Sequence, residues 1–220
     1  MDELKIFLGP RIPRNLWIKN KKRFLLPSVI LSVAAFILLV SIFLPYWNLT
    51  LHAPQYPDGL NIQLYVNKVV GDVSEVDGLN HYIGMKPLGE AAPLERSLSV
   101  YIIAGIVLLC VAAVFVHSPV ALFLNIPAML YPVFFLGDLY FWLHNFGMNL
   151  DQRAPLSGAI KPFVPPLLGE GRIGQFGVTA VWDVGLWMSI AASVLILIGL
   201  YFHRRAYKSL LDARFVEAGT

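Results

Sequence analysis

Residues 24–46 read FLLPSVILSVAAFILLVSIFLPY and contain no charged side chain. A helix rising 1.5 Å per residue needs about 20 apolar residues to cross a hydrocarbon core about 30 Å thick, so this run can span a bilayer. Lys19, Lys21, Lys22 and Arg23 precede it, which invites comparison with a secretory signal. A signal's apolar stretch is only about 7–15 residues and closes on small residues at a cleavage site. This one is longer and closes on Leu44-Pro45-Tyr46-Trp47. It reads as a retained anchor.

Working outward, three more apolar runs follow, over 98–116, 120–143 and 179–202. Only His117-Ser118-Pro119 separates the second from the third, which predicts a tight helical hairpin. Pro127 and Pro132 fall inside the third. Each removes a backbone donor and frees the carbonyl four residues earlier, so a kink and a donor from a neighbouring helix are expected. The whole composition agrees with a membrane solvent. Of 220 residues 57% are hydrophobic and 14% charged, with a mean hydropathy of +0.64. A soluble domain carries roughly a quarter charged. The fold class expected is an all-α membrane protein of four transmembrane helices with two extracytoplasmic loops, the first holding a small β-hairpin.

The net charge of +3 is an orientation signal, not a nucleic-acid footprint. Basic residues crowd segment 1–23 and recur after the last span as Arg204, Arg205 and Lys208, whereas the loops 47–97 and 144–178 have few. The positive-inside rule places 1–23 and 203–220 in the cytoplasm and both loops outside. Trp47, Trp142 and Trp182 then fall at the outer interface as an aromatic belt. Lipid is the expected partner.

In the first loop, Trp47 to His52 alternates, Pro57-Asp58-Gly59 is turn chemistry, and Ile62, Leu64 and Val66 alternate again, which predicts the hairpin. Asp77 is placed to cap a short helix over 78–85, and Pro93 suits a first helical turn. The second loop, with Pro155, Pro162, Pro165 and Pro166, predicts an irregular lid whose apolar residues rest on something.

One constellation invites chemistry. His81-Tyr-Ile-Gly84-Met85 and His144-Asn-Phe-Gly147-Met148 repeat the phrase His-x-x-Gly-Met. Residues four apart share a helical face, so each His and Met would point together. Two imidazoles and two thioethers form a donor set that favours copper, Cu(I) above all, with His52 as an optional further donor. A structural reading stands beside it, because interfacial histidines bond carbonyls and methionine fills gaps beside aromatics. A haem held by a His/Met pair is a third reading. Asp138 and Asp183 read either as a relay at the mouth of the bundle or as hydrated interfacial acids. Nothing acidic or basic continues the track inward, which disfavours a channel or transporter. The lone Cys110 makes no internal disulfide. No hydrolase elbow, phosphate loop or zinc-protease motif is present, so an enzyme is not expected.

The phrases Ala53-Pro-Gln-Tyr-Pro-x-Gly59-Leu60, Gly71-Asp72, Gly78-Leu-Asn-His-Tyr-Ile-Gly-Met85 and Lys161-Pro-Phe-x-Pro-Pro-Leu-x-Gly169 resemble those of an uncharacterised family of bacterial four-span membrane proteins. That family is associated with copper-handling, cytochrome c and nitrous-oxide-reductase maturation functions. The resemblance implies a bacterial inner-membrane protein working near extracytoplasmic copper or respiratory enzymes. It assigns no ligand roles. The expectation is therefore a non-catalytic protein that binds or delivers copper at its outer face for a respiratory copper enzyme. The alternative is a structural accessory subunit of a respiratory or oxidase-type membrane complex, with no metal of its own. Either way, other membrane or periplasmic subunits are the expected protein partners.

Overall fold

A computed structural model describes residues 8, 9, 12–156, 158–173 and 176–218. A short helix α1 (Arg14–Lys19) precedes α2 (Lys21–Ser41). Three strands follow, β1 (Trp47–Ala53), β2 (Tyr56–Leu64) and β3 (Val69–Gly71), then α3 (Val73–Ile83). Next come α4 (Pro93–Phe115), α5 (Val120–Met148), β4 (Gly169–Ile173), β5 (Phe176–Trp182) and α6 (Val184–Ala218). Four helices are long and apolar enough to cross a membrane: Lys21–Ser41, Pro93–Phe115, Val120–Met148 and Val184–Lys208. The chain divides into two compact units, one of residues 1–40, 102–132 and 188–220, the other of 41–101 and 133–187.

In the first unit the buried positions follow helical spacing: Leu31, Ala34, Ala35 and Leu38 on α2, Ala121, Asn125 and Ala128 on α5, Ser189, Ala192, Ser193 and Ile196 on α6. Most are small, and small residues let helix backbones approach when lipid supplies no hydrophobic drive between helices. Gly199 shows how close: a Cβ there would stand 2.9 Å from Leu31 Cδ2. Helix α5 continues through both prolines. The carbonyl that Pro132 frees is that of Ala128, and Ser193 Oγ shares its one proton between that carbonyl at 3.1 Å and Ser189 O at 3.0 Å. A neighbouring helix thus supplies the donor, as expected from sequence. Elsewhere in this unit His203 Nε2 donates to Val116 O at 2.9 Å, and His117 stacks on Tyr207 at 4.4 Å.

The second unit departs from an all-α description. Its five strands form one antiparallel sheet in the order β3-β2-β1-β5-β4. Sequence segment 144–178, expected to be irregular, contributes β4 and the start of β5 as far as Val178, the expected span supplies the rest, and β5 pairs with β1 from Trp47↔Trp182 to His52↔Gly177. The last span accordingly begins at Val184, not 179. The physical reason is visible in the register. Val178 and Ala180 face a core while Thr179 does not, so an apolar stretch that looks continuous with the span is a strand with one buried face. Asp183 ends it: its Oδ1 accepts from Val184 N at 2.7 Å and its carbonyl accepts from Trp187 N, which starts α6.

Other boundaries move too. β1 and β2 pair antiparallel with Ala53 opposite Tyr56, so Pro57-Asp58-Gly59 lies within β2 and the turn is at Pro54-Gln55. Helix α3 begins at Val73; Asp77 is inside it, and its carboxylate accepts from Leu88 N at 2.8 Å instead of capping. Helix α4 begins at Pro93, the first-turn position expected of it. Helix α5 runs on to Met148, past the expected end at 143.

The inner face of the sheet makes the core of this unit. Trp47, Leu49, Leu51, Leu60, Ile62, Val178 and Ala180 pack with Leu139, Phe146 and Leu150. Trp47 is therefore a core residue, 4% exposed, with its indole N–H donating to Leu167 O at 2.8 Å, and not part of an interfacial belt. The proline-rich segment before β4 has no regular structure, but it does rest on this core through Ile160, Phe163 and Leu167.

Candidate functional site

The two His-x-x-Gly-Met phrases fold differently. In the first, α3 ends at Ile83 and Gly84 takes the left-handed conformation at φ 81°. Met85 N donates to Asn80 O at 2.9 Å and Gly84 N to His81 O at 3.4 Å. This is a Schellman ending, in which the residue after the glycine carries an apolar side chain back into the protein. Met85 does so: it is 7% exposed and belongs to the core beneath the sheet. His81 is exposed, with Tyr82 at its edge. The helix has already ended at Met85, so the four-residue spacing does not turn these two donors to one face.

The second phrase lies wholly on α5, and there the spacing holds. His144 and Met148 are one turn apart and both exposed, with Tyr140 a further turn back at 6.0 Å from His144. Gly147 is required for a separate reason. A Cβ there would stand 2.0 Å from Phe163 O, and Phe163 N donates to Gly147 O at 3.0 Å. One glycine ends a helix and the other admits a crossing strand of backbone. The two glycines serve different purposes.

The segments around the phrases do meet. Asp151 N donates to Gly84 O at 2.8 Å and Leu156 N to Tyr82 O at 2.9 Å, so the chain just beyond Met148 runs beside the end of α3. His52 lies elsewhere, on the polar face of β1, with Nε2 3.0 Å from Thr179 Oγ1. Among the described residues no three His, Cys, Asp or Glu side chains gather in a way that would hold a metal ion. Of the donors that sequence suggests, Met85 lies in a core, His52 is bonded across the sheet, His81 is exposed near the end of α3, and His144 and Met148 form an exposed pair on α5.

The acids resolve separately. Asp183 is the helix start described above. Asp138 has Glu95 close enough for electrostatic contact and Trp142 beside it. Glu95 escaped the sequence reading because it precedes the apolar run of α4 by only a few residues, where a first-turn acid is ordinary.

Comparison with protein-family models, characterised proteins and solved structures finds no match. The fold itself defines the class: a multi-pass membrane protein whose polar segments fold into a β-sheet unit with its own core.

Proposed function

We propose that this chain is a non-catalytic accessory subunit of a multi-subunit membrane complex, held in a bacterial inner membrane with both termini in the cytoplasm and the sheet outside. The observation that carries the reading is that both glycines of the repeated phrases, and the first methionine, serve folding. Gly84, Met85 and Gly147 are accounted for by a helix end, a core and a backbone crossing. What remains exposed includes the polar face of the sheet and apolar helix faces. The most apolar windows of α4 and α5 are only 22% buried within the chain, against 39% for α2 and α6, which leaves broad faces for lipid or other helices. Purification from native membranes in mild detergent tests this. A partner of fixed stoichiometry supports the subunit role; a chain that always runs alone overturns it.

The exposed His144/Met148 pair favours a second reading, in which the chain holds Cu(I) at that turn of α5 as imidazole plus thioether. Titration of the purified chain with Cu(I) against a competing chelator decides it. Binding lost in His144→Ala with Met148→Ala would establish this reading, and binding unchanged in that double variant would remove it.

A further inference from the structure

Helix α1 carries three consecutive large apolar side chains, Leu16, Trp17 and Ile18, and all three are exposed. At 3.6 residues per turn, Leu16 and Ile18 lie about 100° to either side of Trp17, so the run occupies a broad side of the helix. The position of α1 in the first unit is fixed at both ends. Ile12, just before it, packs on the cluster of Phe24, Ala206 and Tyr207. Asn20, just after it, leaves the helical conformation at φ −126° and ψ 36°, and its carbonyl accepts from Arg23 N at 3.0 Å and Phe24 N at 3.4 Å. A straight extension of α2 would carry Ile12 about 18 Å from Phe24, at 1.5 Å for each residue between them. The chain instead folds back, and both ends of α1 lie against the first turn of α2. Phe24 opens the uncharged run 24–46, and Ala206 and Tyr207 belong to the last span. The edge of the apolar spans therefore sets the level at which α1 is held.

That level decides what covers the run. A helix held at the edge of the spans meets the boundary between headgroups and acyl chains, where an indole is preferred and an apolar helix face can sink about 5–10 Å. The polar neighbours of Trp17 suit the same place. Lys21 Nζ lies 5.3 Å above its ring, and Arg14, three residues earlier, is a neighbour on the helix surface. Long methylene stems allow both charges to reach upward while the stems stay beside the ring. No acidic residue occurs from 12 to 24 to compete for them. We propose that α1 is an interfacial anchor, independent of any partner subunit. Leu16, Trp17 and Ile18 enter the outer part of the acyl layer, and Arg14 and Lys21 bind lipid phosphate oxygens above them.

The full chain tests this with Cys110→Ala and a single cysteine in place of Trp17 or of Asn15, which lie on opposite sides of α1. Each cysteine is labelled with nitrobenzoxadiazole, and the chain is reconstituted in vesicles of phosphatidylcholine and phosphatidylglycerol. Lipids brominated near the top of the acyl chain should quench the label at position 17 at least about threefold more than the label at position 15. Iodide present on both sides should show the reverse order. Leu16→Ser with Ile18→Ser, and separately Arg14→Gln with Lys21→Gln, should each lower the lipid quenching at position 17 by about twofold or more. Equal access of iodide to both positions would place α1 in water. A label at position 17 shielded from iodide and bromine alike would mean that protein covers it, whether another subunit or a second copy. Either result, or lipid quenching unchanged by either pair of substitutions, would overturn the proposal.

Discussion

Gly185 lies against Tyr46 so closely that a Cβ added to it would stand 2.5 Å from the Tyr46 ring carbon Cδ2, and 2.8 Å from the carbonyl oxygens of Leu44 and Pro45. Tyr46 is fully buried, its hydroxyl 2.7 Å from Ser41 Oγ, and its carbonyl accepts from Asp183 N at 3.0 Å. The end of α2, the start of β1 and the start of α6 are joined at this point. Gly185→Ala has no flexible side-chain tip to push aside, only a buried ring and backbone. It should destabilise the protein by about 1–3 kcal/mol, read as a lowered Tm in detergent. An unchanged Tm would mean that this junction is looser than described.

Met85 separates packing from ligation. As a core residue it should tolerate Met85→Leu at a cost below about 1.5 kcal/mol, whereas Met85→Ala should cost about 2–5 kcal/mol. A thioether ligand would give the opposite pattern, since leucine keeps the volume and loses the sulfur. Thermal stability with and without added Cu(I) distinguishes them: a copper-dependent Tm that Met85→Leu removes would contradict the core assignment.

Pro132 and Ser193 should be coupled. Ser193→Ala leaves the Ala128 carbonyl without its donor and should cost roughly 0.6 kcal/mol, a typical value for a hydrogen bond between helices in a membrane. With Pro132→Ala the helix regains its own N–H for that carbonyl, so the same serine change should become nearly neutral. A double-mutant cycle on unfolding free energy measures the difference. Strict additivity would show that the bond is not compensating the proline.

These cases mark what can be read in sequence. Hydropathy places the four spans because burial in lipid demands long uncharged runs, and the proline logic follows from one missing N–H. The sheet is harder. Phe176-Gly-Val-Thr-Ala-Val-Trp182 merges with the apolar start of α6, so hydropathy has no edge to detect. The usable signals were the alternation of Val178, Thr179 and Ala180 and the helix-starting Asp183. Gly84 and Gly147 show the converse error. Equal spacing in sequence suggested equal geometry, yet one glycine lies at a helix end and the other within a helix, a distinction set by contacts with Asp151 and Phe163 far along the chain.

The proposed sidedness rests on the basic termini. In a Cys110→Ala background, Ser74→Cys on α3 should react with a membrane-impermeant maleimide in cells whose inner membrane is intact. Lys208→Cys on α6 should react only after that membrane is opened. Both positions are exposed, so reactivity reports the compartment. The reverse pattern would invert the proposed orientation.

The central claim is that two segments far apart in sequence build one sheet over a shared core that takes in Met85. Thr50 and Thr179 are direct partners on β1 and β5, at a separation that a disulfide can bridge. With Cys110 replaced by alanine, Thr50→Cys and Thr179→Cys should oxidise to an intramolecular disulfide in the membrane. After cleavage at a protease site inserted after Gly158, the two fragments should stay linked until reduced. A pair that stays reduced, or that links the fragments no better than Thr50→Cys with Arg172→Cys, two strands away on β4, would contradict the account.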